Sequence, residues 1–164
     1  MRAALFAALL VAGAATLGCG YTSDAVFRTG IQTVYVQPFE SRTFRRDFEF
    51  LLTEAVKKRI ASDTPYRVAP RDKADTILRG EVLDSPQAAY APDFRSRQPR
   101  EKQMTMVIRL EWKDARTGRI LVDRPLLLQA VDYMPPVGES EEFAKQKVVD
   151  RMAARIVAQM YNEW

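Results

Sequence analysis

The chain has 164 residues, with 25 Lys and Arg against 21 Asp and Glu, one cysteine and no histidine. This mild basic excess gives no general case for nucleic-acid binding. The missing histidines exclude Ser-His and Cys-His catalysis and the usual zinc ligand sets. The seven glycines form no phosphate-binding motif, and no spacing marks two carboxylates as a catalytic pair. We therefore expect a protein that is not an enzyme and has no cofactor.

The N-terminus is typical of a secretory signal peptide. A short basic start and an apolar run end at Gly18-Cys19, and the run is shorter than the roughly 20 residues that a membrane-spanning helix needs. Cys19 has no disulfide partner in the chain. It resembles the lipid-modified cysteine of a bacterial lipobox, although Thr16 stands where lipoboxes favour leucine. We predict a signal peptide over residues 1–18, an acyl anchor such as palmitate on Cys19, and one periplasmic domain over residues 19–164.

The first half of this domain begins with a strand and a helix. Ile31–Phe39 is rich in β-branched and aromatic residues and contains Pro38 near its end, which predicts a strand followed by a turn. From Asp47, a plausible N-cap, apolar residues recur at helical spacing until residues 62–65. A short segment then leads to a predicted strand over residues 76–83.

The middle of the domain contains the clearest strand of the chain. Residues 84–100 contain three prolines, which favour a sheet edge or an excursion from the sheet. Apolar and mostly polar residues then alternate over residues 104–113, which predicts a strand with one buried face. Residues 114–119 predict a hairpin loop. The partner strand covers residues 120–131, with a bulge or bend at Pro125.

The last predicted element is a helix that begins at Ser140 and has acidic residues in its first turn. Its apolar ridge consists of Val148, Met152, Ile156 and Met160. The order β-α-β-β-β-α predicts an α/β (α+β) two-layer sandwich, with both helices packed on one face of a small mixed sheet. The residues that we expect to be buried together are Phe48, Leu52, Val56, Met106, Ile108, Leu110, Met152 and Ile156.

Several segments resemble the LptE family of lipopolysaccharide-assembly lipoproteins, and together they cover nearly the whole mature chain. They are C-G-Y after the signal, V-Y-V-Q-P-F-E-S-R-T, F-E-F-L-L-T-E-A-V, A-D-T-I-L-R-G-E-V and R-L-E-W-K-D-A-R-T-G-R-I-L. The departure is S-R-T at residues 41–43, where relatives more often carry N-x-T. The first strand and helix also resemble other lipoproteins, including activators of peptidoglycan synthases.

The resemblance implies a role in the outer membrane. LptE proteins are located inside the lumen of the LptD β-barrel and help it deliver lipopolysaccharide to the outer leaflet. A chain with 28% charged residues is compatible with the polar interior of a large barrel. The expected partners are therefore an LptD-type barrel, lipopolysaccharide and the membrane through the lipid anchor, but not nucleic acid. The alternative is another lipoprotein adaptor, such as a regulator of cell-wall synthesis.

Two basic clusters are candidates for binding. Arg95, Arg97, Arg100 and Lys102 fall in a segment, residues 94–102, that we interpret as the link between two strands. Arginine forks suit phosphate groups such as those of lipid A, and nearby aromatic residues could lie against acyl chains. The alternative is a solvated loop whose charges protect a sheet edge. A second cluster, Arg42, Arg45 and Arg46, is more simply a solvated loop before the first helix.

Overall fold

The computed structural model describes residues 27–42, 47–92, 99–135 and 138–161, with the backbone alone at residues 91, 92, 99 and 100. Within these ranges one mixed sheet contains seven strands: β1 (Thr33–Val36), β2 (Glu40–Ser41), β3 (Arg67–Val68), β4 (Thr76–Asp84), β5 (Gln87–Pro92), β6 (Pro99–Asp114) and β7 (Ile120–Tyr133). Two helices, α1 (Phe48–Asp63) and α2 (Glu141–Ala158), and a short 3-10 turn at Arg71–Lys73 complete the fold.

The sheet combines parallel and antiparallel pairing. β1 lies between β3 and β4 and is parallel to both, and the short β2 is also parallel to β4. β6 is antiparallel to β4, β5 and β7. Because β4 and β7 both pair with the C-terminal half of β6, they lie on its opposite sides. β5 and β7 also pair with the same residues of β6, 102–104, so they too lie on opposite sides of it. β5 therefore lies on the side of β6 that carries β4.

The predicted two-layer architecture is confirmed, with differences in the strands. The single strand predicted over residues 31–39 is interrupted, because β1 ends at Val36 and β2 begins only at Glu40, beyond Pro38. The segment with three prolines forms β5, an extra strand. β6 also begins five residues earlier than its alternation indicated, at Pro99.

Local signals placed the turns and bends of the antiparallel part correctly. Residues 114–119 form the hairpin loop between β6 and β7, with Gly118 at a φ of 73° that suits glycine. The pairing register shifts between Leu110↔Arg124 and Ile108↔Leu127. This shift inserts one extra residue on β7 at Pro125-Leu126, so the predicted bulge is confirmed.

The two helices begin differently. The Ser140 hydroxyl accepts a hydrogen bond from the Phe143 backbone N–H at 3.1 Å, which is a standard N-cap for α2. Asp47 is the N-cap residue of α1, as predicted, but its backbone is left-handed, with a φ of 85°, and its side chain makes no capping hydrogen bond. The carboxylate instead lies 3.6 Å from Lys145 Nζ of α2.

The core lies between the helices and one face of the sheet. All eight residues predicted to be buried together are buried in a single apolar cluster. The alternation in β6 explains this arrangement, because Met104, Met106, Ile108, Leu110 and Trp112 face the helices. The opposite face carries the more polar residues of β4, β6 and β7. We call it the open sheet face.

Candidate functional site

The structure describes only part of the predicted basic site. Arg95, Arg97 and Cys19, as well as Arg45 and Arg46, lie outside the described residues. Arg100 and Lys102 lie in β6 rather than in a loop, so the predicted link of residues 94–102 was too long. The link between β5 and β6 covers residues 93–98.

Strand pairing explains why the link is shorter than predicted. β5 pairs residue by residue with the start of β6, from Gln87↔Met104 to Pro92↔Pro99. The two prolines face each other at the end of this ladder, where the absence of an N–H group costs little. The sequence around the prolines therefore marks the end of the strand pair and not an excursion from the sheet.

Lys102 lies where three strands run side by side. Its register partners are Ala89 of β5 and Tyr133 of β7. It is two residues from the buried Met104, so it belongs to the sheet face that the helices cover, and it is half-buried. A lysine at such a place can keep its stem on apolar surface while its ammonium group reaches water.

Three exposed aromatic or apolar side chains lie at this end of the sheet, and one of them, Tyr90, is the register partner of Glu101 and so lies on the opposite sheet face from Lys102. Tyr90 of β5 is 49% exposed, Met134 after β7 is 47% exposed, and Phe143 in the first turn of α2 is 45% exposed. The α2 N-terminus is held here by a hydrogen bond of 2.8 Å from Gln87 Nε2 to Glu141 Oε1. We call this part of the molecule, with residues 99–103, the β5–β6 end.

A second ammonium group lies at the same end. Lys147 Nζ is 5.4 Å from the centroid of the Phe143 ring and donates a hydrogen bond of 3.5 Å to the Asp132 carbonyl. The β5–β6 end thus combines lysines with exposed aromatic surface, the combination that an anionic, acylated ligand requires. Sequence reasoning missed Phe143 and Lys147. The available signal was that Phe143 is a large apolar residue outside the buried ridge of α2.

Arg42, the described member of the second basic cluster, belongs to a different surface. Arg42 forms an ion pair with Glu81, next to the pair of Arg79 and Glu111 at 2.8 Å. The hydrogen bond from Arg79 lowers the pKa of the Glu111 carboxyl from its ordinary value. These pairs border a groove of about 360 Å³ on the open sheet face. Arg42 therefore has its own carboxylate partner on this face, far along the sheet from Lys102.

Two further properties of the described residues bear on function. Neither α1 nor α2 is long and apolar enough to cross a membrane. Within the described ranges, no three Asp, Glu, His or Cys side chains are grouped so that they could hold a metal ion.

Comparison with known proteins identifies one family model that matches the chain. The model of the LptE family, described as lipopolysaccharide-assembly, matches residues 31–164 of the chain. No curated protein sequence matches significantly.

Several solved structures have a similar fold. Uncharacterized lipoprotein B from Nitrosomonas europaea is 12% identical with a TM-score of 0.57, over 78% of this chain and 81% of that chain. A hypothetical protein from Chlamydia trachomatis is 11% identical with a TM-score of 0.55, over 79% and 95%. PelC from Paraburkholderia phytofirmans, solved as a dodecamer, is 12% identical with a TM-score of 0.52, over 82% and 90%. At these identities the likeness extends to the fold alone.

Proposed function

Since the chain belongs to the LptE lipopolysaccharide-assembly family, we propose that it is an outer-membrane lipoprotein that works with an LptD-type β-barrel. In this role it is anchored through Cys19, fills part of the barrel lumen and assists the passage of lipopolysaccharide. The observation that carries the proposal is the family match, because it spans residues 31–164 and so includes every strand and both helices.

The open sheet face supports a position inside a barrel. A plug inside a large outer-membrane barrel contacts a polar, hydrated wall. The open face presents ion pairs, such as Arg79 with Glu111, around a charged groove. The apolar residues of β6 are already covered by the helices. The charged part of this surface can stay hydrated or form hydrogen bonds to the wall, while Leu126 and Leu128 of β7, on either side of the buried Leu127, add exposed apolar side chains to the same face.

The β5–β6 end supports contact with lipopolysaccharide. We place the anionic headgroup of lipid A against Arg95, Arg97, Arg100 and Lys102. The exposed rings of Tyr90 and Phe143 lie at the same end of the sheet as Lys102 and are suited to sugar or acyl surfaces. The role is binding and positioning, with no chemical step, which is consistent with a chain that has no histidine and an acylated cysteine.

The test is an affinity pull-down of the tagged lipoprotein from detergent-solubilised membranes, followed by identification of its partners by mass spectrometry. We expect a large outer-membrane β-barrel as the main partner, and a second tagged outer-membrane lipoprotein from the same cells serves as the control. Recovery of an inner-membrane cell-wall synthase in place of a barrel would overturn the proposal in favour of a cell-wall regulator.

A further inference from the structure

Several contacts hold the first described residues in place. Phe27 forms an isolated antiparallel bridge with Tyr161, and its ring packs edge-on against Tyr161 at 5.0 Å and Tyr66 at 5.7 Å between centroids. The Arg28 backbone N–H donates to the Tyr66 hydroxyl at 3.0 Å. These contacts attach the N-terminal segment to one end of the sheet, next to the end of α2.

Arg28 strengthens this attachment. Its guanidinium lies 5.8 Å from the centroid of the Trp112 ring and donates a hydrogen bond of 3.3 Å to the Leu121 carbonyl. Leu121 immediately follows the β6–β7 hairpin loop, so the attachment point and the hairpin share one end of the molecule. We call it the hairpin end. It lies at the opposite end of β6 from the β5–β6 end.

The hairpin end lies within reach of the anchor. Phe27 is only eight positions after Cys19 in the chain. Because an extended chain covers at most about 3.6 Å per residue, Phe27 can be no more than about 29 Å from the lipidated residue. The hairpin end therefore has to stay close to the membrane surface.

Two loops bring exposed cations together at this end. Arg71 and Lys73 lie in the 3-10 turn, and Arg116 and Arg119 lie in the hairpin loop; all four are exposed. The loops are joined by a hydrogen bond of 2.8 Å from the Ala115 N–H to a backbone carbonyl beside the turn. Within the described residues, none of these four cations is within 4 Å of a carboxylate oxygen.

Two neighbouring carboxylates, those of Asp75 and Asp114, accept hydrogen bonds from neutral donors and keep their negative charge. Asp75 Oδ2 accepts hydrogen bonds from the Thr33 hydroxyl and N–H, both at 2.8 Å, and from the Gln32 N–H at 3.0 Å. Asp114 Oδ1 accepts from the Arg116 and Thr117 N–H groups at 2.9 and 2.7 Å. These bonds lower the pKa of Asp75 and of Asp114.

The remaining acidic residues do not cancel the positive charge. Asp63, at the end of α1, accepts a hydrogen bond of 3.1 Å from Arg59, which leaves Asp72 as the exposed acid between Arg71 and Lys73. Arg67 of β3 adds another exposed cation beside them. Arg67, Arg71, Lys73, Arg116 and Arg119 thus stand against the carboxylates of Asp72, Asp75 and Asp114, a balance of five positive to three negative charges, so the hairpin end has a small net positive charge.

We propose that the surface formed by Arg71, Lys73, Arg116 and Arg119 lies on anionic phospholipid headgroups of the membrane that carries the Cys19 anchor. This contact holds the hairpin end at the membrane surface, beside the anchor. The proposal rests on the lipid anchor of the proposed function. Basic residues near an anionic bilayer each contribute about fivefold to the partition coefficient, and this attraction acts over about one Debye length, 8–10 Å.

The test uses the whole mature chain, residues 19–164, with Cys19→Ser, so that any vesicle binding comes from the protein surface. We measure co-flotation with vesicles of phosphatidylglycerol and phosphatidylcholine, with vesicles of phosphatidylcholine alone, and with lipopolysaccharide aggregates. We expect binding to the phosphatidylglycerol vesicles at low salt. It should be lost at about 1 M salt, where the Debye length is about 3 Å.

The deciding variants are a matched pair. Lys73→Gln, Arg116→Gln and Arg119→Gln should together weaken phosphatidylglycerol binding about tenfold or more. The control triple, Lys58→Gln, Arg109→Gln and Arg151→Gln, removes the same number of exposed Lys and Arg elsewhere and should leave binding nearly unchanged. Circular-dichroism melting curves verify that both variants are folded.

Three outcomes would overturn the proposal. The first is that the wild-type surface fails to bind phosphatidylglycerol vesicles. The second is that the two triple variants lose binding equally. The third is that the hairpin-end triple variant weakens binding to lipopolysaccharide only. None of these results depends on whether a barrel is recovered in the pull-down. Failure of this inference and failure of the proposed function are therefore distinguishable.

Discussion

At the scale of single residues, the contact between Gly80 and Phe39 has a direct consequence for stability. Phe39 is buried, and a Cβ added at Gly80 would lie 2.1 Å from its Cε1 and 2.7 Å from its Cδ1. We predict that Gly80→Ala lowers the free energy of unfolding by about 1–3 kcal/mol, because the ring must leave its packed position. Urea denaturation followed by circular dichroism measures this change.

A second substitution, at Phe39, provides the control for Gly80→Ala. In the double variant Phe39→Leu with Gly80→Ala, the smaller side chain removes the clash, so the two losses of stability should be less than additive. An unchanged urea midpoint for Gly80→Ala, or strictly additive losses, would contradict the packing that we describe.

At the scale of elements, the link between β5 and β6 and the first residues of β6 are where we predict lipopolysaccharide binding. Replacing Arg95, Arg97, Arg100 and Lys102 by Gln should lower affinity for lipopolysaccharide tenfold or more, because one charge-assisted hydrogen bond contributes about 1.5–3 kcal/mol. Thermal stability should change little, since surface charges contribute little to folding and Gln keeps part of the stem of the half-buried Lys102. Titration of purified lipopolysaccharide at two salt concentrations measures the affinity and its electrostatic share.

The control for this variant is Arg42→Gln with Arg45→Gln and Arg46→Gln. It removes similar charge from a different surface, where Arg42 already pairs with Glu81. If both variants bind lipopolysaccharide equally well, or fail equally, the link has no special role. Its charges would then be better explained as protection of a sheet edge.

At the scale of the whole molecule, anchoring and folding should be separable. The apolar cluster of the described residues is built between Phe27 and Tyr161. We predict that Cys19→Ala yields a folded protein that no longer fractionates with membranes, and membrane fractionation with mass spectrometry of the N-terminal peptide measures this. Gly20 rather than Asp follows the cysteine, which by analogy with enterobacterial sorting favours the outer membrane. An unmodified N-terminal peptide in the wild type would contradict the anchor.

Much of the fold could be predicted from the sequence, because its periodicity reports which side of an element is buried. The alternation in β6 and the ridges of α1 and α2 correctly identified the buried residues, such as Ile108, Val56 and Met152. Turn chemistry placed the β6–β7 hairpin, and Pro125 marked the bulge in β7. The family, too, was evident from the sequence, since its motifs run through the whole domain.

The tertiary structure decided what depends on pairing between distant segments. β2, β3 and β5 are short strands whose own residues carry little periodicity, and only their partners define them. Asp47 takes a left-handed backbone conformation that propensity alone would not assign. The placement of Lys102 and Phe143 at the same end of the sheet and the proximity of cations at the hairpin end arise in the same way. They unite residues more than forty positions apart in the chain, and local sequence patterns contain no information about such distances.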